Sequence, residues 1–247
     1  MNRDTTKGHL AALLTILIWG TTFISTKVLL TDFQPVEILF FRFVAGTLAL
    51  FLVCPRLLKG TTWKQEERLN IGFFIGFLVA MAGIALISFN GSALQLNPAG
   101  DLLALLAAFI WACYSILTRK ISSYGYNTIL TTRRVFLYGL LFMIPVLLLS
   151  DPVIDLPRFA DRTNLLNLLF LGLGASALCF VTWNSAVRLL GAVRTSVYIY
   201  LTPVITIVAS VLILHEPFTW MTGIGTVLTL AGLVLSEGRV FRHKNQK

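Results

Sequence analysis

Hydroxyl and aromatic side chains recur along one face of an apolar run near the start of the sequence. Thr15, Trp19, Thr22 and Thr26 stand at i, i+4, i+7 and i+11, a spacing that lines one side of a helix. Trp111, Tyr114, Ser115 and Thr118 form a second stripe further on. Such stripes offer hydroxyl donors and stacking surfaces to a small organic solute. The same residue types also hydrogen-bond and pack helices against one another, so cavity lining and interhelical packing both remain open. A third set is Trp183, Asn184, Tyr198, Tyr200 and Pro203. Here Asn184 can serve a solute or a neighbouring helix, and Pro203 frees a backbone carbonyl.

Two arginines, Arg42 and Arg134, fall inside apolar runs, where a charge marks a function by default. Arg42 lies about 10 Å along its helix from Pro35, and Arg134 has a comparable depth from the other side. A structural or gating role is expected for both, with contact to a substrate carboxylate or phosphate as the alternative. Arg133 is read as a snorkelling neighbour. The eleven carboxylates all lie outside the apolar runs or near their ends. Buried cations without buried acids favour anionic or zwitterionic solutes over cationic ones. The three cysteines and three histidines make no metal-ligand spacing, and no nucleophile–base set appears, so no metal, cofactor or catalytic residue is expected.

These residues must be positioned by membrane-spanning helices. The chain is 56% hydrophobic and 13% charged, about half the charge of a soluble domain. Its charges cluster between long apolar runs, so the net charge of +9 points to anionic lipid headgroups and not to nucleic acid. About 20 apolar residues cross a bilayer core. That length predicts eight spans: 10–30, 36–54, 71–89, 102–118, 128–149, 165–187, 197–214 and 221–236. With the N-terminus in the cytoplasm, fourteen Lys and Arg fall inside and three outside, which places both termini inside the plasma (inner) membrane.

An internal repeat organises the spans. Residues 8–29 align without gaps to 100–121 at an offset of 92, with nine of 22 positions identical, and Trp19 falls on Trp111. The same offset sets Arg42 on Arg134. A second match, 76–86 with 225–235, has an offset of 149, so the second half holds 57 residues that the first half lacks. The expected units are 1–98 with three spans and 99–247 with five. Both numbers are odd, so the repeats enter the membrane from opposite sides, the inverted architecture of many secondary transporters.

Trp19-Gly20-Thr21-Thr22-Phe23, Arg42-Phe43, and residues 195–236 with Leu201-Thr202-Pro203-Val204 and Glu216 resemble the EamA-type drug/metabolite transporters. The resemblance covers nearly the whole chain. It implies an all-α polytopic membrane protein with the inverted-repeat drug/metabolite transporter fold, of about eight helices (3 + 5) instead of ten. It further implies no enzymatic activity, and export or exchange of small metabolites such as amino acids. The candidate cavity residues are then Trp19, Thr22, Trp111, Tyr114, Ser115, Trp183, Asn184, Tyr198 and Pro203. The alternative is an internally deleted member that inserts without transporting, at most a membrane scaffold. The expected partners are the lipid bilayer and a small-molecule solute. Small-residue faces at Gly72, Gly76 and Ala80 and at Gly172 and Ser176 are read as close packing, and they permit a homodimer without requiring one.

Overall fold

A computed structural model describes residues 3–55, 98–152, 155–214 and 218–242. Every regular element among them is helical: α1 Arg3–Leu29, α2 Pro35–Val53, α3 Pro98–Ser123, α4 Thr128–Leu149, the short turn α5 Pro157–Ala160, α6 Arg162–Leu169, a π-helical stretch Phe170–Leu178, α7 Cys179–Leu190, α8 Ala192–Val197, a 3-10 turn Tyr198–Tyr200, α9 Leu201–Leu214 and α10 Trp220–Arg242. Among the described residues, five helical runs are long and apolar enough to cross a membrane: α1, α2, α4, the continuous run Arg162–Leu190, and Ala192–Ile213. The 26-residue α3 and the apolar stretch Trp220–Gly232 of α10 accompany them.

The solvation is that of a chain in lipid. Side chains such as Leu52, Phe142 and Leu149 face outward, 86%, 76% and 85% exposed, while Thr15, Thr132, Arg133 and Asn184 are buried. A water-soluble helical domain would reverse that arrangement. Several buried hydroxyls are satisfied within their own helices: Thr15 donates to the Ala11 carbonyl at 2.8 Å and Thr132 to that of Thr128 at 2.8 Å. Bonding to the preceding turn satisfies such a hydroxyl in a medium without water.

Contacts between helix ends fix their directions. Gly8 near the start of α1 faces Leu190 at the end of α7, and Arg119 near the end of α3 donates to the Val187 carbonyl at 3.1 Å. Arg133 near the start of α4 donates to the Cys54 carbonyl just beyond α2. At the opposite end of the bundle, Arg158 in α5 meets Glu37 in the first turn of α2. It follows that α1 and α3, which carry the two copies of the aligned segment, run antiparallel. It also follows that α2 ends on one side and α3 begins on the other. The expected third span, 71–89, would supply that change of side, and with its Gly72, Gly76 and Ala80 it lies outside the described residues.

Helix limits differ from the sequence expectation where the backbone, and not hydropathy, sets them. The sixth run extends from Arg162 to Leu190 and the seventh begins at Ala192, five residues before its expected start. Gly191 alone joins them, at φ 96°, a left-handed conformation that an L side chain resists. One glycine therefore makes the whole turn, and Arg188 and Arg194 stay helical instead of forming a loop. Pro203 has no N–H for the Ile199 carbonyl, and the helix tightens into its 3-10 turn at Tyr198–Tyr200.

The π-helical stretch is where α2 crosses. A Cβ on Gly172 would stand 2.5 Å from the Cβ of Ala45, and one on Gly46 would stand 3.0 Å from the Gly172 carbonyl oxygen. The glycines thus bring the two backbones into direct contact, the use that small residues serve between membrane helices.

Candidate functional site

Antiparallel α1 and α3 bring the repeat-related tryptophans together. The Trp19 and Trp111 ring centroids are 5.5 Å apart, edge to face. Trp183 of α7 completes a triangle, 5.4 Å from Trp19 and 5.9 Å from Trp111. Phe180 lies one helical turn before Trp183 and packs on Trp19 at 5.6 Å, Trp111 at 6.1 Å and Tyr114 at 6.2 Å. Phe136 and Phe43 extend the cluster to α4 and α2. Four of the five long apolar runs (α1, α2, α4 and Arg162–Leu190) therefore converge with α3 on one aromatic centre.

The polar atoms of this centre divide into two kinds. Trp19 Nε1 donates to the Ala175 carbonyl at 2.9 Å. Tyr114 Oη donates to Asn184 Oδ1 at 3.0 Å, and Asn184 Nδ2 donates to Thr132 Oγ1 at 2.9 Å. These bonds tie α1, α3 and α4 to the sixth run, and Asn184 is occupied chiefly with its neighbours. By contrast, Trp111 Nε1, Trp183 Nε1 and Ser115 Oγ are buried without a hydrogen-bond partner among the described residues. An unmet buried donor is costly, so groups of this kind mark a place where another partner is required.

Arg42 approaches from α2. Its Nε donates to Ser176 Oγ at 2.9 Å, one residue along from the carbonyl that receives Trp19. The π-helical stretch thus holds both an indole and a guanidinium at successive residues, Ala175 and Ser176. A widened turn exposes backbone carbonyls that a regular α-helix would keep for itself, and such bulges are frequent at functional sites.

The structure reverses the expected pair on α4. Arg134, aligned with Arg42 in the repeat, is exposed, whereas Arg133 is buried, donates to the Cys54 carbonyl, and lies 4.2 Å over the Phe51 ring. The repeat preserved the register but not the face: Leu130, Arg133 and Phe136, at three-residue spacing, share the buried side. Arg133 thereby caps the carbonyl end of α2, a structural assignment and not a snorkelling one.

Other expected residues lie away from the centre or are spent locally. Thr22 Oγ1 returns to the Trp19 carbonyl at 2.6 Å. Thr15 bonds Thr182 across helices at 2.6 Å. Tyr198 packs beside Trp183 and Ile16, but its hydroxyl meets His9 Nδ1 at 2.6 Å, towards the end where the N-terminus lies. Pro203 is half-buried in the first turn of α9 and joins none of these aromatic contacts. A recess of about 670 Å³ beside Phe218, Trp220 and Val227 contains none of these groups, and its outward, apolar walls suit lipid. Sequence reasoning missed Phe180 and Phe136; it quoted Phe43 only for the family resemblance and read Ser176 only as close packing. Phe180 carried a usable signal, its i, i+3 spacing to Trp183.

The chain is similar to known proteins over most of its length. The EamA-like transporter family model matches residues 6–89 and 98–237. An uncharacterized transporter of Archaeoglobus fulgidus is 26% identical over 290 residues, covering 94% of this chain and 98% of its own length. A protein of Escherichia coli named a probable amino-acid metabolite efflux pump is 24% identical, with 93% and 94% covered. A Salmonella typhimurium protein of the same name is 28% identical over 69% of this chain and 59% of its own. A solved crystal structure superposes with a TM-score of 0.58 at 18% identity over 96% of this chain and 91% of that one, a likeness of fold alone. With nearly the full length matched and the helices assembled as described, the chain belongs to the EamA-like transporter family.

Proposed function

We propose that this membrane transporter exports or exchanges small anionic or zwitterionic metabolites such as amino acids, held at the Trp19–Trp111–Trp183 centre, with both termini in the cytoplasm. The observation that carries this reading is that the indole N–H groups of Trp111 and Trp183 and the Ser115 hydroxyl are buried without a partner among the described residues. These are donors, suited to a carboxylate or carbonyl, and the adjoining aromatic faces suit the organic part of a solute. Arg42, bonded through Nε to Ser176, supplies the positive charge. The relatives named as amino-acid metabolite efflux pumps support the solute class. The test is a panel of labelled amino acids, nucleosides and sugars in vesicles reconstituted with the purified chain, under inward and outward gradients. Saturable flux of an amino acid is the expected result.

The second reading is an internally deleted member that does not transport. It is favoured by the alignment with the archaeal relative, which runs over 290 residues although this chain has 247. On this reading the units 1–98 and 99–247 are unequal because two spans are missing from the first, and a second copy would have to supply the missing wall. Absence of flux for every solute of the panel, together with a single-copy mass in detergent, would decide for it.

A further inference from the structure

At the end of the bundle away from the N-terminus, the turn between α1 and α2 is clamped to the segment that leads into α6. Glu37 is 1% exposed, and Arg158 meets it with two nitrogens, Nη1 to Oε2 at 3.2 Å and Nη2 to Oε1 at 3.3 Å. Glu37 Oε2 also receives the Gln34 backbone N–H at 2.8 Å, so this carboxylate caps α2 as well. Arg158 Nη1 further donates to the Asp32 carbonyl at 2.6 Å, and its guanidinium lies 4.6 Å over the Phe33 ring. Asn164, 3% exposed, donates to the Asp32 carboxylate at 2.8 Å and to the Arg158 carbonyl at 3.1 Å. Phe159 packs on Phe33 at 5.2 Å and on Phe41 at 4.9 Å.

Three features separate this clasp from an ordinary surface ion pair. It is buried and bidentate, with most of its acceptors used, so it holds one geometry. It joins residues 121 positions apart, across the two repeat units. And it sits on the hydrophobic layer of Leu29, Phe33, Ile38, Leu168 and Leu171, against which Trp19, Phe41 and Phe159 pack, so it closes the bundle directly beyond the tryptophan centre. At the other end the ties are the His9–Tyr198 bond at 2.6 Å, the bonds of Arg119 and Arg133 to the Val187 and Cys54 backbone carbonyls, and the apolar seat of Gly8 on Leu190.

We infer that Glu37 and Arg158, braced by Asp32 and Asn164, form a charged gate that must part for the tryptophan centre to reach the side of the membrane opposite the N-terminus. A carrier that alternates access needs contacts that hold one end shut and can be released as a unit. A bidentate pair between α2 and the segment leading into α6 suits this, because its two contacts share one geometry. The inference rests on the transport reading for its purpose, but its test does not require flux.

The test places a single reporter, Leu168→Cys, beneath the clasp in the full chain with Cys54→Ser, Cys113→Ala and Cys179→Ala. A matched chain carries Leu190→Cys at the other end. Each is purified in detergent micelles and labelled with a charged maleimide. With Arg158→Gln, the gate predicts that labelling at position 168 accelerates by about tenfold, because removing one partner of a buried pair strands the other. Labelling at position 190 stays at the parent rate, and Arg158→Lys gives an intermediate effect at 168. Should Arg158→Gln fail to fold, Asn164→Ala is expected to move position 168 the same way by a smaller factor. Unchanged labelling at 168 in the folded variant overturns the gate, and so does equal acceleration at both positions, which would mean general loosening. If 168 alone accelerates but vesicles move no solute, the gate stands and the transport reading fails.

Discussion

The indoles of Trp19 and Trp111 meet edge to face with ring centroids 5.5 Å apart and planes inclined at 72°. They occupy equivalent positions in two copies of one sequence segment, carried on antiparallel helices. The contact is thus a pseudosymmetric one: each copy presents the same residue to the other at the repeat interface, where inverted-repeat carriers place their sites.

The two indoles differ in hydrogen bonding, and their variants should differ too. Trp111→Phe removes an N–H with no described partner. It should leave thermal unfolding in detergent nearly unchanged while weakening solute affinity. Trp19→Phe removes the donor to the Ala175 carbonyl. It should destabilise by about 1 kcal/mol, the ordinary worth of one such bond, visible as a lowered Tm.

Arg42 and Arg134 should separate cleanly in transport kinetics. Arg42→Gln removes the charge bonded to Ser176 and should raise the KM for an anionic solute by about tenfold, the loss of one charge-assisted contact. Arg134→Gln alters an exposed side chain and should leave KM and stability near the parent values. Arg133→Gln should act on stability instead, costing about 1–3 kcal/mol as the Cys54 carbonyl loses its donor. Unfolding and flux measured on the same three preparations distinguish these outcomes.

Asn184→Leu breaks the chain from Tyr114 through Asn184 to Thr132. Interhelical bonds of this kind in membranes contribute about 0.6 kcal/mol on average and up to about 1.7 kcal/mol. Two are lost, so Tm should fall measurably. Any flux defect should follow the folded fraction if Asn184 serves its neighbours, and should exceed it if the amide also meets solute.

The α2 crossing should tolerate no added carbon. Gly172→Ala places a Cβ 2.5 Å from that of Ala45 and 3.2 Å from the Arg42 carbonyl oxygen. The helices must separate, at a cost of about 1–3 kcal/mol for overpacking. Because Arg42 sits on the same crossing, its bond to Ser176 should loosen, and affinity for an anion should fall alongside Tm. Gly139→Ala, with nothing within 4 Å, serves as the silent comparison.

Much of this architecture was written in the chain because a membrane imposes few and simple terms. Apolar length located the described spans, and the Trp and Arg matches exposed a repeat that leucine-rich composition alone would have hidden. What hydropathy cannot register is backbone geometry. It gave no sign that Gly191 alone would turn the chain, nor that residues 170–178 would widen into a π-helix. Side-chain facing was the other gap. Arg133 and Arg134 are adjacent, and only the packing of α4 on α2 decides which turns inward. The Glu37–Arg158 pair was hidden for a different reason: its partners lie 121 residues apart, Glu37 at the start of an expected span and Arg158 in what reads as an ordinary connection.

The most direct test of the tryptophan centre is counterflow of an amino acid in proteoliposomes, comparing the parent chain with Trp111→Phe and Trp183→Phe at matched folded amounts. Saturable exchange is expected in the parent, with a KM raised several-fold in each variant at equal folded protein. Parent liposomes that exchange no faster than protein-free ones, or variants that exchange with unchanged KM, would contradict it.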